Sequence, residues 1–358
     1  MYDAQSVMVP NAQIGKRAHL LNILGSHINT FVGIAPPSEH QPSFPIIQSG
    51  FSYNHLWQQT SLPRVLFSQR PDIFLSPFNT APLCFPRQTR LLLVVHDLIP
   101  FEWYPNVRIK HRALLTYWRY LTAASIRQAS LVITVSDYSR GQILSYFPSA
   151  RVVVLKNTIA ESWYVRKNSV PDLDRDNYLI MVTSMNPHKN IDRALQAYSR
   201  YVKKVGVAPA HLRIVGLSPI DTAKLRPRLH ELAISDHVSF LSYLSPSELQ
   251  TLYRGARALF VPSLSEGFGI PVLEAMASGT PVISSSATCL PEVGGSAPEY
   301  FDPRSVSDMY EALTRVLSDG QLRASMIERG LLQAEIFHPN VVLRQAREFW
   351  DDLPNLVA

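Results

Sequence analysis

Residues 258–284 read ALFVPSLSEGFGIPVLEAMASGTPVIS. The stretch opens on the apolar run Ala258–Val261, which lacks polar alternation, as expected of a strand in a parallel sheet covered on both faces. It closes on a second such run, Pro281–Ser284. Between them the residues spell a turn and a short helix. Gly267 and Gly269 let the backbone approach a ligand closely and take unusual dihedrals. Pro271 suits the first turn of a helix and Gly279 suits its C-terminal cap. A strand, loop and helix in this order aim the helix N-terminus at the crevice beyond the strand end. There, free N–H groups and the helix dipole favour a phosphate.

The same rhythm extends in both directions. Strands are predicted at Leu91–Val95, Leu131–Val135 and Val152–Leu155, with a helix over Lys110–Gln128. After a polar, proline-containing linker at Glu161–Asn177, further strands are predicted at Tyr178–Thr183, Leu212–Val215 and Val238–Phe240. Helices over Ile191–Val205, Asp221–Ile234 and Pro246–Ala256 fill the gaps, and the chain reads as helical after Ser305. Alternating strands and helices imply an α/β fold of two doubly wound, Rossmann-like domains. The boundaries follow as 1–165, 166–335 and a final helical segment 336–358. Many of the 27 prolines precede residue 110, which predicts irregular loops in the first half.

The 358 residues are too many for one ordinary α/β core and suit two. With 46% apolar residues the chain has the makings of a packed protein. A formal charge of +6 suits an anionic small ligand or an acidic membrane surface and does not by itself indicate nucleic acid. The two cysteines, Cys84 and Cys289, build neither a disulfide framework nor a zinc spacing, so a reducing, cytoplasmic compartment is expected. No apolar run approaches membrane-spanning length, and Met1–Pro10 lacks the pattern of a signal peptide. Any membrane contact is expected to be peripheral, at the inner face.

Glu266 lies on the loop and Glu274 on the helix of the opening stretch. A carboxylate accepts two hydrogen bonds, which matches a vicinal diol on ribose or hexose. Two glutamates would then hold the two sugars of a nucleotide-sugar while backbone amides hold the diphosphate. As a glycosidase pair they fit less well: eight helical residues span roughly 12 Å, whereas a retaining glycosidase needs about 5–5.5 Å.

The segment SEGFGIPVLEAMASGTPVI, with its E-x(7)-E spacing, resembles the signature of the retaining glycosyltransferases of family 4, which have the two-domain GT-B fold with an interdomain cleft. The resemblance implies that Glu266 contacts the donor hexose and Glu274 the nucleotide ribose, with Gly267, Phe268 and Gly269 lining the donor. His96, closing strand Leu91–Val95 in the run VVHDLIP, matches the family's histidine beside the reacting carbon. Lys189, in NPHKN, matches the lysine that pairs with the donor phosphates. Ser184 stands where the family often has an arginine, and His188 precedes the lysine in place of another, so the cationic clamp is thinner here. Gly15, in Ile14-Gly15-Lys16-Arg17 before a helical stretch Ala18–Leu24, resembles the family's glycine-containing N-terminal loop. Only Tyr2–Val9 is available for the strand that usually precedes it. Ser136, whose commonest role at that place is to cap the next helix, Asn157, Ser263 and Leu290-Pro291-Glu292-Val293 also match family segments.

The resemblance further implies an acceptor-binding first domain, a donor-binding second domain and a final helix, around Val341–Leu353, crossing back to the first. Transfer would retain the anomeric configuration, with the leaving phosphate taking the acceptor proton and no metal or other cofactor required. The HDLIP variant looks most like bacterial transferases of O-antigen or exopolysaccharide synthesis, often mannosyltransferases, so GDP-mannose is the first donor expected and a glycan or lipid-linked glycan the acceptor. Two other readings stay open: a phosphorylase or epimerase on the same fold, and a non-catalytic donor-binding subunit of a glycan-assembly complex.

Other signals point elsewhere more weakly. The D-x-D within Asp172–Asp176 has no strand before it and reads as a solvated charge run. No histidine pair is spaced for zinc, no G-x-S-x-G elbow occurs and no G-x-G-x-x-G follows the first strand. The aromatic and basic residues of Trp103–Arg119 read either as a membrane-facing amphipathic patch or, slightly preferred, as a core helix with a basic edge.

Overall fold

The computed structural model describes residues 2–3, 33–35, 46–48, 54–102, 109–165 and 176–357. The chain divides into two compact units, residues 1–158 with 339–358, and residues 159–338.

Unit 1 contains β1 (Tyr2–Asp3), β2 (Gly33–Ala35), β3 (Ile46–Gln48), α1 (Asn54–Gln69), β4 (Ile73–Ser76), β5 (Arg90–Val95), α2 (Ile99–Glu102), α3 (Ile109–Gln128), β6 (Leu131–Thr134), α4 (Asp137–Tyr146) and β7 (Val152–Val154). Among the described residues its seven strands are all parallel, in the order β3-β2-β1-β4-β5-β6-β7. Leu91, Leu93 and Val95 of β5 pack to one side with Trp57, Leu62 and Leu66 of α1. Leu92 and Val94 face the other side. Both faces are therefore covered, which is why the run is apolar without alternation.

Unit 2 contains β8 (Tyr178–Val182), α5 (Ile191–Val205), β9 (His211–Val215), α6 (Pro219–Glu231), β10 (Val238–Leu241), α7 (Pro246–Gly255), β11 (Ala258–Val261), α8 (Ile270–Ala277), β12 (Val282–Ser285), α9 (Leu290–Gly294), β13 (Glu299–Phe301), α10 (Val306–Ser318) and α11 (Gly320–Glu335). Its six parallel strands run β10-β9-β8-β11-β12-β13. One core joins Leu179, Leu212 and Phe260 of the sheet to Ala194, Leu195 and Tyr198 of α5 and Met309 and Leu313 of α10. The last helix, α12 (Pro339–Leu356), buries Phe349, Trp350 and Leu353 with Leu75, Leu92 and Val94 of the first sheet.

The units meet at 158/159 and 338/339, where the sequence had suggested 165/166 and 335/336. The shift at the first boundary has a packing cause. Trp163, in the one-turn helix Glu161–Trp163, rests edge-on against Tyr253, with ring centroids 5.9 Å apart. The Val165 N–H donates to the Ala277 carbonyl at 3.0 Å. At the second boundary, Phe337 packs edge-on against Phe268 at 5.6 Å, which holds residues 336–338 to unit 2.

Helix α6 begins two residues earlier than expected, because Ser218 caps it, accepting from the Asp221 N–H, and Pro219 takes its first position. Helices α1, α2 and α9 and strands β2, β3, β4 and β13 are additions to the elements expected from the sequence. Of the stretch Tyr2–Val9, Tyr2–Asp3 is strand and the rest lies outside the described residues. Gly15 with residues 14–24, Trp103, Tyr104 and Arg108, and residues 172–175 of the D-x-D run lie outside the described residues. Of the Trp103–Arg119 stretch the described side chains begin at Arg112: Tyr117 is exposed, while Trp118 and Arg119 are half-buried, with Arg119 over the Phe101 ring. Among the described residues no helix is long and apolar enough to cross a membrane.

Candidate active site

In unit 2 the strand order turns at the boundary between β8 and β11: β9 and β10 follow on one side, β12 and β13 on the other. Ligands of open parallel sheets bind beyond the carboxyl ends of the strands at such a switch point. The segments after β8 and β11 carry Ser184 and Lys189, and Glu266 to Glu274, respectively.

After β8 the chain makes a single turn at Pro187–Lys189, ended by Asn190 in the left-handed region with φ 59°. The buried Asn190 amide then donates to the carbonyls of Pro262, at 2.9 Å, and Pro303, at 2.7 Å. The Leu264 N–H donates to the His188 carbonyl at 2.7 Å. These bonds tie the loop after β8 to the loop after β11 and bring Lys189 onto Glu266. The Lys189 Nζ lies 2.6 Å from Glu266 Oε1, with the two side chains 20% and 13% exposed. Ser263 Oγ donates to the same carboxylate oxygen at 2.7 Å. The Glu266 backbone is held as well: its N–H donates to Thr288 Oγ1 at 3.1 Å, and the Cys289 thiol donates to its carbonyl. Burial pushes that thiol well above its usual range.

Gly269 caps the N-terminus of α8 with φ 98°, and a Cβ there would lie 2.8 Å from Leu290 Cδ2. Pro271 occupies the first turn and Gly279, with φ 71°, follows the last. Gly267 is not among the glycines of positive φ, so Gly269 alone of the expected pair uses that freedom. Phe268 was expected to line the donor. Its ring is buried against Phe337, so only its backbone is left to face a ligand.

Glu274, on α8, keeps some exposure, yet enough protein surrounds its carboxyl that burial pushes its pKa up to about 8. A hydrogen bond from the buried Tyr253 hydroxyl, 3.2 Å from Oε2, pulls the other way. The two glutamates are held by different partners, Glu266 by Lys189 and Ser263 and Glu274 by Tyr253. Ser184 is bonded locally, accepting from the Asn186 amide at 3.1 Å.

His96 belongs to unit 1, at the end of β5. Its N–H donates to Asn79 Oδ1 at 2.9 Å, and its ring Nε2 lies 3.0 Å from the Pro77 carbonyl. Ser136 is a helix cap, accepting from the Ser139 N–H at 3.1 Å. The Asn157 Oδ1 is buried without a hydrogen-bond partner. Among the described residues no three His, Cys, Asp or Glu side chains are grouped to hold a metal ion. Tyr253, Thr288 and the clamp made by Asn190 had no sequence signal, because each acts through a residue distant along the chain.

Residues 30–162 match the family model Glycosyltransferase Family 4, and residues 166–333 match Glycosyl transferases group 1. O-antigen chain mannosyltransferase B of Escherichia coli is 31% identical over 263 residues, covering 70% of this chain and 67% of that one. O-antigen chain mannosyltransferase RfbU of Salmonella typhimurium is 32% identical over 226 residues, covering 63% of this chain but 60% of its own length. The structure of Anabaena HepE in complex with UDP and glucose superposes with a TM-score of 0.74 at 15% identity, covering 98% of each chain, which is a likeness of fold. On these matches to both units and to a mannosyltransferase over two thirds of its length, the chain belongs to the family 4, group 1 glycosyltransferases of the GT-B fold.

Proposed function

We propose that this enzyme moves a hexose, mannose in the first instance, from a nucleoside-diphosphate sugar to a glycan or lipid-linked glycan during cell-surface polysaccharide synthesis, with retention at the anomeric carbon. The carrying observation is the convergence of Lys189, Glu266 and the N-terminus of α8 at the switch point of unit 2. A diphosphate brings negative charge to a place that already offers an ammonium group and a helix N-terminus. Glu266 then accepts from hexose hydroxyls and Glu274 from the ribose diol. As the sugar–phosphate bond breaks, charge grows on the leaving phosphate, where Lys189 stabilises it. That phosphate takes the acceptor proton, so the protein positions and stabilises without a nucleophile of its own. His96, in unit 1, is the third residue assigned to catalysis, and unit 1 is assigned the acceptor. The mannosyl preference is supported by the two O-antigen relatives.

Peripheral contact with an acidic membrane face is part of the same reading. Residues 103–136 contain no Asp or Glu and include Arg108, Lys110, Arg112, Arg119 and Arg127. Within that run Leu114, Tyr117 and Tyr120 are exposed. Basic residues beside exposed aromatics suit an anionic lipid surface. Sedimentation with phosphatidylglycerol vesicles, weakened by salt and by Tyr120→Ser with Arg119→Ser, is the expected result.

A thermal-shift panel of GDP-, UDP- and dTDP-sugars tests the donor, since binding to the folded state raises the melting temperature. GDP-mannose is expected to give the largest shift and to label a mannan or lipid-linked acceptor. No shift with any member would overturn the proposal.

A further inference from the structure

We infer that Tyr253 is a positioning residue for Glu274, and that Trp163, where the chain enters unit 2, holds Tyr253 in its place. The inference rests on the reading of Glu274 as the nucleotide-binding carboxylate and adds what sets that carboxylate's orientation.

The terminal torsion of a glutamate is broad and roughly two-fold, so its backbone alone does not fix the plane of its carboxyl group. Here one oxygen is pinned: Tyr253 Oη donates to Glu274 Oε2 at 3.2 Å. The Tyr253 side chain is fully buried. A buried phenol keeps such a bond because losing it strands a polar group. With Oε2 occupied, Oε1 is the oxygen left to turn toward a ligand hydroxyl.

Tyr253 is itself immobilised from two sides. Its carbonyl accepts from Thr280 Oγ1 at 2.7 Å, joining the end of α7 to the segment after α8. Its ring meets Trp163 edge-on, 5.9 Å between centroids at 66°. Trp163 is buried, and two residues later the Val165 N–H bonds the Ala277 carbonyl at the C-terminal end of α8. Residues 163–165 are thus fastened to the helix of Glu274 twice, once through Tyr253 and once directly. Neither Trp163 nor Tyr253 is expected to touch the nucleotide.

The test is a double-mutant cycle read by calorimetry, using whichever of GDP and UDP binds the wild-type protein more tightly, with steady-state kinetics on the corresponding nucleotide-sugar. Tyr253→Phe keeps the ring and removes the hydroxyl. It is expected to weaken nucleotide binding and raise donor KM about five- to twenty-fold, with kcat within about two-fold. In a Glu274→Ala background, which removes the acceptor, the same change should add less than about two-fold. Trp163→Phe, which keeps an aromatic contact, should give a smaller loss in the same direction, and serves if Tyr253→Phe fails to fold. Equal losses in the two backgrounds would overturn the inference, because Tyr253 would not be acting through Glu274. Wild-type affinity in Tyr253→Phe beside a weakened Glu274→Ala would overturn the positioning role alone. Wild-type affinity in Glu274→Ala would overturn the assignment of the carboxylate itself.

Discussion

Lys189 Nζ and Glu266 Oε1 stand 2.6 Å apart, each on a loop that leaves the carboxyl end of a central strand of unit 2. The cation assigned to the donor phosphates and the carboxylate assigned to the donor hexose are therefore each other's partners before any donor arrives. Ser263 supplies a second donor to the same oxygen. A diphosphate competes for the ammonium with two charges, and Glu266 keeps Ser263 while turning to hexose hydroxyls. Donor binding in this scheme moves the ammonium from Glu266 to the phosphates, so the carboxylate that loses its cation has to be satisfied by Ser263 and the hexose hydroxyls.

Lys189→Ala should accordingly act more on turnover than on affinity. The ammonium meets the phosphate in both the bound donor and the transition state, but the charge it faces grows as the bond to the sugar breaks. Loss of one such group typically costs about 10²–10³ in rate. The expected result is a kcat lower by that factor, with donor KM within about five-fold, in initial-rate measurements on GDP-mannose. An unchanged kcat would remove Lys189 from the chemistry.

Glu274 carries a prediction about pH. Its carboxyl titrates at about 8 in the folded protein, against an ordinary value of 4.5. Between these values the unfolded chain has lost a proton that the folded chain keeps, so stability falls as pH rises from 4.5 to 8 and levels off above. Glu274→Gln keeps the shape of the side chain and does not ionise. Its denaturation free energy should lack this decline and exceed that of the wild type at pH 8.5, while nucleotide affinity falls. Urea melts from pH 5 to 9 on both proteins would show it. Parallel profiles would mean the carboxyl is not raised.

The reaction is also expected to run without a resident divalent metal, because in the proposed donor site Lys189 and the N-terminus of α8 would supply the positive charge for the leaving phosphate. After dialysis against EDTA, the initial rate should stay within about two-fold of the untreated enzyme. A loss restored by magnesium or manganese would contradict this.

Much of unit 2 was legible because its determinants are local. The strand at 258–261, the proline in the first turn of α8 and the glycines at 269 and 279 each announce their conformation within a few residues. The loop partners were not legible. Nothing near Tyr253 indicates a glutamate 21 positions ahead, and nothing near Asn190 indicates carbonyls 72 and 113 positions away. The place of the Phe268 ring was not legible either, because its packing partner Phe337 lies far along the chain. The boundary at 158/159 was hidden for a similar reason. The polar composition of 161–177 suggested a linker, but Trp163 within it is a buried anchor.

Gly269 offers the sharpest test of the cradle at the head of α8. With φ at 98° it sits where an L side chain is strained, by roughly 1–2 kcal/mol. A Cβ would also come within 2.8 Å of Leu290 Cδ2, on a side chain that is itself fully buried and has little room to retreat. Relief then has to come from the loop, which carries the first N–H groups of α8 with it. Gly269→Ala should therefore lower stability by about 2–3 kcal/mol and weaken nucleoside-diphosphate binding at least ten-fold. Gly267→Ala, where φ is not positive, is free of the dihedral strain and should cost less on both counts. Thermal denaturation and GDP titration of the two variants side by side decide the matter. If Gly269→Ala binds GDP as the wild type does, the backbone at this position is not what holds the phosphates.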